Sequence, residues 1–386
     1  MALDKPRRAK VPEIRRPPGA EDERGPVPGV GLCLSGGGFR AMLFHAGSLR
    51  RLNDAGYLKK LDRVSSVSGG SIAAGLLALQ WGKLQFDPAG RATNFDDEVV
   101  DRVRSFARRT IDVPAVLTGI LIPGMTINQR LARSYRRLFS KHTLAELPER
   151  PEFVFDATNL QSGDLWRFSH RIEGDWRVGS QPGPTTDLAR VVAASSAFPP
   201  ILSPARLSFP DGALTGGGDA EVSAAPYTTR VVLSDGGVYD NLGLQAVWTR
   251  YEKVLISDAG GHIGNSAHPR AFWPLQILRV LKVIDNQVRD LRKNQAVQAF
   301  IDGRRTGTYW GIRSHVRDFP LAQPIADPSD AAVEELAGVP TRLAAIDDTL
   351  QERLIDWGYA ICDTALRSHV DTDLPPGALP YASTGL

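Results

Sequence analysis

Cysteine is almost absent from this chain. Of 386 residues only Cys33 and Cys362 carry thiols, and they stand near opposite ends. That scarcity excludes a framework of several disulfides, and both are expected as buried thiols in a reducing compartment. Long apolar runs are missing too. No stretch approaches the about 18 uninterrupted apolar residues of a membrane-spanning helix. The best candidate, Val113 to Met125, is broken by Pro114 and Pro123. Residues 1–27 lack the apolar centre of a signal peptide and read as a disordered, basic and proline-rich leader. The expectation is a cytoplasmic protein whose contact with membranes is peripheral. Charge of one sign is scarce as well: 46 Lys and Arg against 43 Asp and Glu leave +3, so no nucleic-acid partner is expected. There is no HExxH and no Cys/His set at ligand spacing, so the reading requires neither a metal nor another cofactor.

What is present is an ordinary globular composition, 42% apolar and 23% charged, with two glycine-rich turns close together near the front. Ser35-Gly36-Gly37-Gly38-Phe39-Arg40 follows an apolar run from Val30 and opens a helical stretch from Arg40 to Ala55. Ser66-Val67-Ser68-Gly69-Gly70-Ser71 follows the short run from Arg63 and opens another, Ser71 to Trp81. Strand, turn and helix in that repeated order predict a parallel sheet with helices on its faces, whose ligands bind at the carboxyl ends of the strands. Further strands are expected at Glu152–Asn159, Arg230–Ser234 and Lys253–Ser257. Helices are expected at Thr186–Ser195, Leu242–Tyr251, Pro274–Ile301 and Thr341–Ser368. Residues 82–150 read as a helical insertion around a proline-bounded apolar loop, and residues 263–386 as a mostly helical extension packed on a core of residues 28–262.

The two turns carry complementary chemistry. Successive N–H groups of a glycine turn form a nest for negative charge. Arg40, just inside the following helix, either binds backbone carbonyls or adds positive potential. A dinucleotide-binding loop fits less well: the glycines are consecutive, not G-x-G-x-x-G, and no acidic residue ends the next strand. In the second turn Ser68 occupies the centre of a nucleophile elbow, where the residues flanking it at a distance of two must be small. Gly70 fits, and Ser66 stands where glycine is usual. The bland alternative is that Ser68 or Ser71 only caps the helix. A nucleophilic serine needs a base. Asp235 directly ends the strand Val231–Ser234, and Gly236-Gly237 turns the chain away. Asp211-Gly212 and Asp258-Ala259-Gly260-Gly261 are similar turns. Among the histidines only His262 stands at a strand end in a glycine-rich loop, which leaves a Ser–His–Asp arrangement open.

Taken together, Gly36-Gly37-Gly38-Phe39-Arg40, Ser66-Val67-Ser68-Gly69-Gly70-Ser71 and Asp235-Gly236-Gly237 resemble the patatin-like phospholipase family over roughly residues 28–262. Asp156-Ala157-Thr158-Asn159 and Ala194-Ser195-Ser196-Ala197-Phe198-Pro199-Pro200 agree. The resemblance implies a three-layer α/β/α sandwich with a mostly parallel central sheet. It also implies a serine acyl hydrolase of the phospholipase A or lysophospholipase type with a lipid substrate at a membrane or micelle surface. Carried onto this chain, Ser68 is the nucleophile and Asp235 the general base and acid. Gly36, Gly37 and Gly38 form the oxyanion loop. Arg40, Gly69, Gly70, Gly236 and Gly237 support it. A non-catalytic scaffold that kept the fold is the alternative.

Two basic stretches bear on membrane contact: Arg133, Arg136, Arg137 and Lys141 beside the apolar loop, and Arg279, Lys282, Arg289, Arg292 and Lys293 on the long helix. The favoured expectation for the long helix is that Ile277, Leu278, Leu281, Ile284, Val288 and Leu291 face the core while the charges face solvent.

Overall fold

A computed structural model describes residues 25–111, 126–269, 271–321 and 323–386. The apolar loop Val116–Met125 lies outside the described residues. The first run becomes β1 (Val27–Leu34), which pairs in parallel with β2 (Arg63–Ser66) on one side and β9 (Tyr251–Asp258) on the other. β10 (Thr306–Gly311) extends the sheet beyond β9, and β3 (Glu152–Asn159) extends it beyond β2, both in parallel. The remaining strands run antiparallel: β4 (Leu165–Phe168), β5 (Ile172–Asp175) and β6 (Gly179–Pro182) follow β3 as a meander. β7 (Ala205–Ser208) pairs β8 (Arg230–Asp235), which returns to β3.

Helices cover both faces of the sheet, giving the α/β/α sandwich that the resemblance implied. The strands show why. Alternate residues enter different cores, as the two-residue period of a strand demands. Leu32, Leu34 and Leu255 join one core; Cys33, Val254 and Ile256 join the other. The larger core is built on α1 (Gly38–Asp54), α2 (Gly69–Gln80), α3 (Asp101–Ala107), α4 (Ile127–Phe139) and α5 (Leu188–Ser195). Short α6 (Gly237–Asp240) and α7 (Gln245–Trp248) follow β8; α8 (Trp273–Ile301), α9 (Asp330–Gly338) and α10 (Asp348–His369) complete the chain.

The C-terminal third is woven into the core. α10 crosses α1 at two glycines: a Cβ on Gly47 would stand 1.9 Å from the Ile355 carbonyl oxygen, and one on Gly358 2.0 Å from that of Phe44. Beside the crossing, Arg51 and Asp363 form a buried ion pair at 2.7 Å. Both cysteines are free and buried.

Three expectations need correction. Residues 242–251 hold only the four-residue α7, because Asp240 turns the chain by accepting the N–H groups of Leu242 and Gln245 at 3.1 and 2.7 Å. The last helix begins not at Thr341 but after its N-cap Asp347, whose side chain accepts the Leu350 N–H at 3.0 Å. α8 forms where expected, yet its apolar residues do not face the core: Ile277, Leu281, Ile284 and Leu291 are exposed. Among its charged residues Arg289 is buried instead, donating to the Gly261 carbonyl.

Candidate active site

β3 brings the two motif ends together. Its residues 152–155 carry β2 and residues 157–159 carry β8 along the same edge, the other edge being taken by β4. β2 therefore ends opposite Phe155 and β8 ends opposite Ala157, pointing toward each other. Val67 and Ser68 leave one end; Asp235 closes the other. A Cβ on Gly236 would stand 3.2 Å from Val67 Cγ1 and 2.4 Å from the Asp156 carbonyl oxygen. Only a glycine passes here.

Ser68 has φ 51° and ψ −116°, a conformation unfavourable for a residue with a Cβ and of the kind stored at functional turns. Surrounding bonds hold it. Its N–H donates to Ser195 Oγ at 3.0 Å, and Ser195 Oγ donates to the Asp156 carbonyl at 2.7 Å. The Ser71 hydroxyl lies 2.9 Å from that of Ser195 and 3.1 Å from that of Ser66. Ser66 is thus absorbed into a serine network, and its own hydroxyl reaches the Val154 carbonyl at 3.3 Å.

The glycine loop lies against this corner. A Cβ on Gly36 would stand 3.3 Å from Ser68 Cβ, and one on Gly69 would stand 2.1 Å from the Gly38 carbonyl oxygen. Gly37 (φ 151°) and Gly38 (φ 64°) adopt backbone angles open to glycine. The Gly36 N–H is spent on the Asn241 carbonyl at 3.0 Å, and that of Phe39 on the Arg342 carbonyl at 3.0 Å. Among the described residues, no acceptor meets the N–H groups of Gly37, Gly38 or Gly69. Of the three glycines expected to line an oxyanion site, Gly36 therefore shapes the loop, while Gly37 and Gly38 keep free donors.

Arg40 takes the first of its two expected roles. Nη2 donates to the Ala259 carbonyl at 2.8 Å, and Nη1 to those of Val339 and Ala337 at 2.6 and 3.2 Å. It braces the loop against the C-terminal third. Beneath, buried His45 bonds the Ser35 carbonyl through Nε2 at 2.9 Å and meets Ser257 Oγ through Nδ1 at 2.9 Å. A carbonyl only accepts, so Nε2 carries the proton. Burial lowers this imidazole to a pKa of about 4, leaving it neutral at pH 7.

Asp235 is buried. Its Oδ1 accepts the Gly237 N–H at 2.7 Å, while Oδ2 is buried with no hydrogen bond of ordinary geometry. Burial raises its pKa to about 7. The Gly237 N–H and the Ser68 hydroxyl pull the other way, and the charge of Asp285 on α8 raises it further. The result is a dry carboxyl beside a serine, poised near neutrality, the state a general base requires. A second buried acid, Asp156, is pushed up to about 8 by burial and accepts from Ser65 Oγ at 2.8 Å. His262 is exposed, and among the described residues no contact joins it to Ser68 or Asp235.

Sequence reasoning did not single out His45, Ser195 or Asn241 as site residues. The signal for Ser195 lay in the small-residue run Ala194-Ser195-Ser196-Ala197. Asn241 Oδ1 would stand within 2.4 and 2.7 Å of a Cβ on Gly36 and Gly237, so it fills the space between the two glycine turns.

On this mixed α/β sheet the site therefore combines a strained serine corner, a buried acid and a glycine turn. The chain belongs to the patatin-like phospholipase family, whose sequence profile matches residues 32–248. Membership supports lipid hydrolase activity. The structure of human GIVD cytosolic phospholipase A2 is similar in fold, with a TM-score of 0.50 at 12% identity, covering 88% of this chain and 59% of that one. Its complex with methyl gamma-linolenyl fluorophosphonate gives 0.48 at 15% identity, covering 88% and 57%. VipD from Legionella pneumophila gives 0.35 at 14%, covering 89% and 67%. The chain thus spans less than two thirds of the human enzyme. No curated protein sequence matches it. Among the described residues no helix is long and apolar enough to cross a membrane.

Proposed function

We propose that this chain hydrolyses acyl esters of membrane lipids, in the manner of a phospholipase A or lysophospholipase, through a Ser68–Asp235 dyad and an acyl-enzyme. One observation carries the reading: the buried carboxyl of Asp235 lies beside the hydroxyl of Ser68, a serine held at a strained corner against which the glycine loop packs.

The cycle uses those groups alone. Asp235 Oδ2 takes the proton of Ser68 Oγ as the oxygen attacks the ester carbonyl carbon. Negative charge moves onto the carbonyl oxygen, where the Gly37 and Gly38 N–H groups receive it; Gly69, the residue after the nucleophile, offers a third donor. The tetrahedral species collapses, the ester C–O bond breaks, and the leaving alkoxide takes the proton from Asp235. Water then attacks the acyl-enzyme, gives a proton to Asp235, and the fatty acid leaves as that proton returns to Ser68. Lipid supply comes from a membrane or micelle surface, and the two free buried thiols suit a reducing cytoplasm.

A fluorophosphonate probe tests the reading directly. The wild type is expected to label at one serine, and Ser68→Ala is expected to lose the label and all turnover of a soluble short-chain ester. Turnover retained by a folded Ser68→Ala protein would sink it. Failure of the wild type to label would favour the non-catalytic scaffold.

A further inference from the structure

α8 leaves a long apolar stripe exposed. Trp273, Ile277, Val280, Ile284, Val288 and Leu291 follow one another at gaps of four, three, four, four and three residues, the spacing of a single helical stripe. All six are exposed, from 37% at Val288 to 67% at Trp273. Part of the polar side faces the body of the protein, while Gln276, Lys282, Asp285 and Gln287 are exposed. Arg289 is buried against the Gly261 carbonyl. Arg292 donates to the Tyr239 carbonyl at 3.3 Å, Lys293 sits 5.0 Å above the Tyr309 ring, and the charge of Asp285 is felt at Asp235. A contiguous apolar stripe of this length left in water is unfavourable at roughly 25 cal/mol for each Å². α8 packs against α6, where Val238, next in sequence to Gly237, is 49% exposed; Phe198, next to the Ala197 carbonyl that accepts the Asp235 N–H, is equally so. Apolar surface therefore borders the catalytic corner as well as the helix. The helix also holds five basic and two acidic residues, a positive balance that suits an anionic surface.

We propose that the outward face of α8 docks on an anionic phospholipid bilayer, with the stripe immersed at the level of the upper acyl chains and the exposed Lys282 at headgroup height. This deepens the hydrolase reading and rests on it, since docking here sets the catalytic corner against its substrate. Trp273 at the helix start supplies the aromatic anchor usual at such a boundary.

The experiment is flotation of the full chain with vesicles of phosphatidylcholine alone or mixed with phosphatidylglycerol, run beside turnover of a soluble short-chain ester. The wild type is expected to float with the mixed vesicles, and less so as salt rises. The double variant Ile277→Asp, Ile284→Asp, altered only at exposed positions, is expected to lose roughly tenfold or more of its vesicle partition while keeping soluble-ester turnover. A wild type that floats with neither vesicle yet turns over the soluble ester overturns the proposal, and so does a double variant that floats like the wild type. Light scattering that shows a wild-type dimer dissolved by the double substitution overturns it too, because a second copy then covers the stripe. Absent soluble-ester turnover in the wild type overturns the hydrolase reading instead, and flotation still decides whether α8 docks.

Discussion

Asp235 keeps its proton to about pH 7 because burial disfavours the carboxylate, and that displacement sets two pH dependences of opposite sign. As the proposed base it would work only when ionised. The kcat/KM for a soluble ester is therefore expected to rise with pH through an apparent pKa near 7 and then level off, read from initial rates between pH 5 and 9. Stability runs the other way. An unfolded aspartate releases its proton near pH 4, so between about 4 and 7 the folded chain binds more protons and loses stability as pH rises. Asp235→Asn, which keeps the acceptor for the Gly237 N–H, is expected to abolish turnover. It should also gain on the order of 1 kcal/mol or more over the wild type at pH 8, and little at pH 4, by denaturant titration at each pH. At this scale the sequence was legible where a residue's role is fixed by its neighbours in the chain. Ser68 and Asp235 each stand beside glycines that only a sharp turn explains. His45, Ser195 and Asn241 were hidden because their roles arise from partners far away in sequence, such as Asp156 for Ser195.

At the scale of elements, the two glycine turns interlock, and the contact of Gly69 with Gly38 is the tightest point. Gly69→Ala would drive a methyl into the Gly38 carbonyl. It is expected to cut turnover by about 100-fold or more through displacement of the oxyanion donors, with the folded fraction checked by circular dichroism. The order β1, α1, β2, α2 was readable from apolar runs and glycine stops. The β4–β5–β6 meander was not, because these strands are four residues each, too short for alternation to register. α8 shows a subtler gap. Periodicity reports that a helix has an apolar stripe but not which way the stripe turns. Only the exposure of the stripe and the inward bonds of Arg289 and Arg292 reveal that it turns away from the body.

For the molecule as a whole, the C-terminal third belongs to the same core as the motif-bearing part, although the sequence offered no motif beyond residue 262. The α1–α10 crossing depends on having no side chain at Gly47 and Gly358. Gly358→Ala is expected to lower stability by about 2 kcal/mol or more. Arg51→Met removes one of the two arginines paired with buried Asp363, leaving Arg367 at 3.1 Å, and is expected to cost about 1.5–3 kcal/mol, measured by urea unfolding. Neither contact was foreseeable, since each joins positions more than 300 residues apart.

Arg40 ties the glycine loop beside Ser68 to carbonyls at 337 and 339, close to 300 residues downstream. During synthesis, then, Ser68 leaves the ribosome long before the brace that shapes its surroundings has been made. A nascent chain should carry an idle serine and acquire lipolytic competence only once translation is nearly finished, which would spare the cell from half-built enzyme. Ribosome-stalled chains ending before residue 337 are expected to resist fluorophosphonate labelling, whereas released full-length protein accepts it.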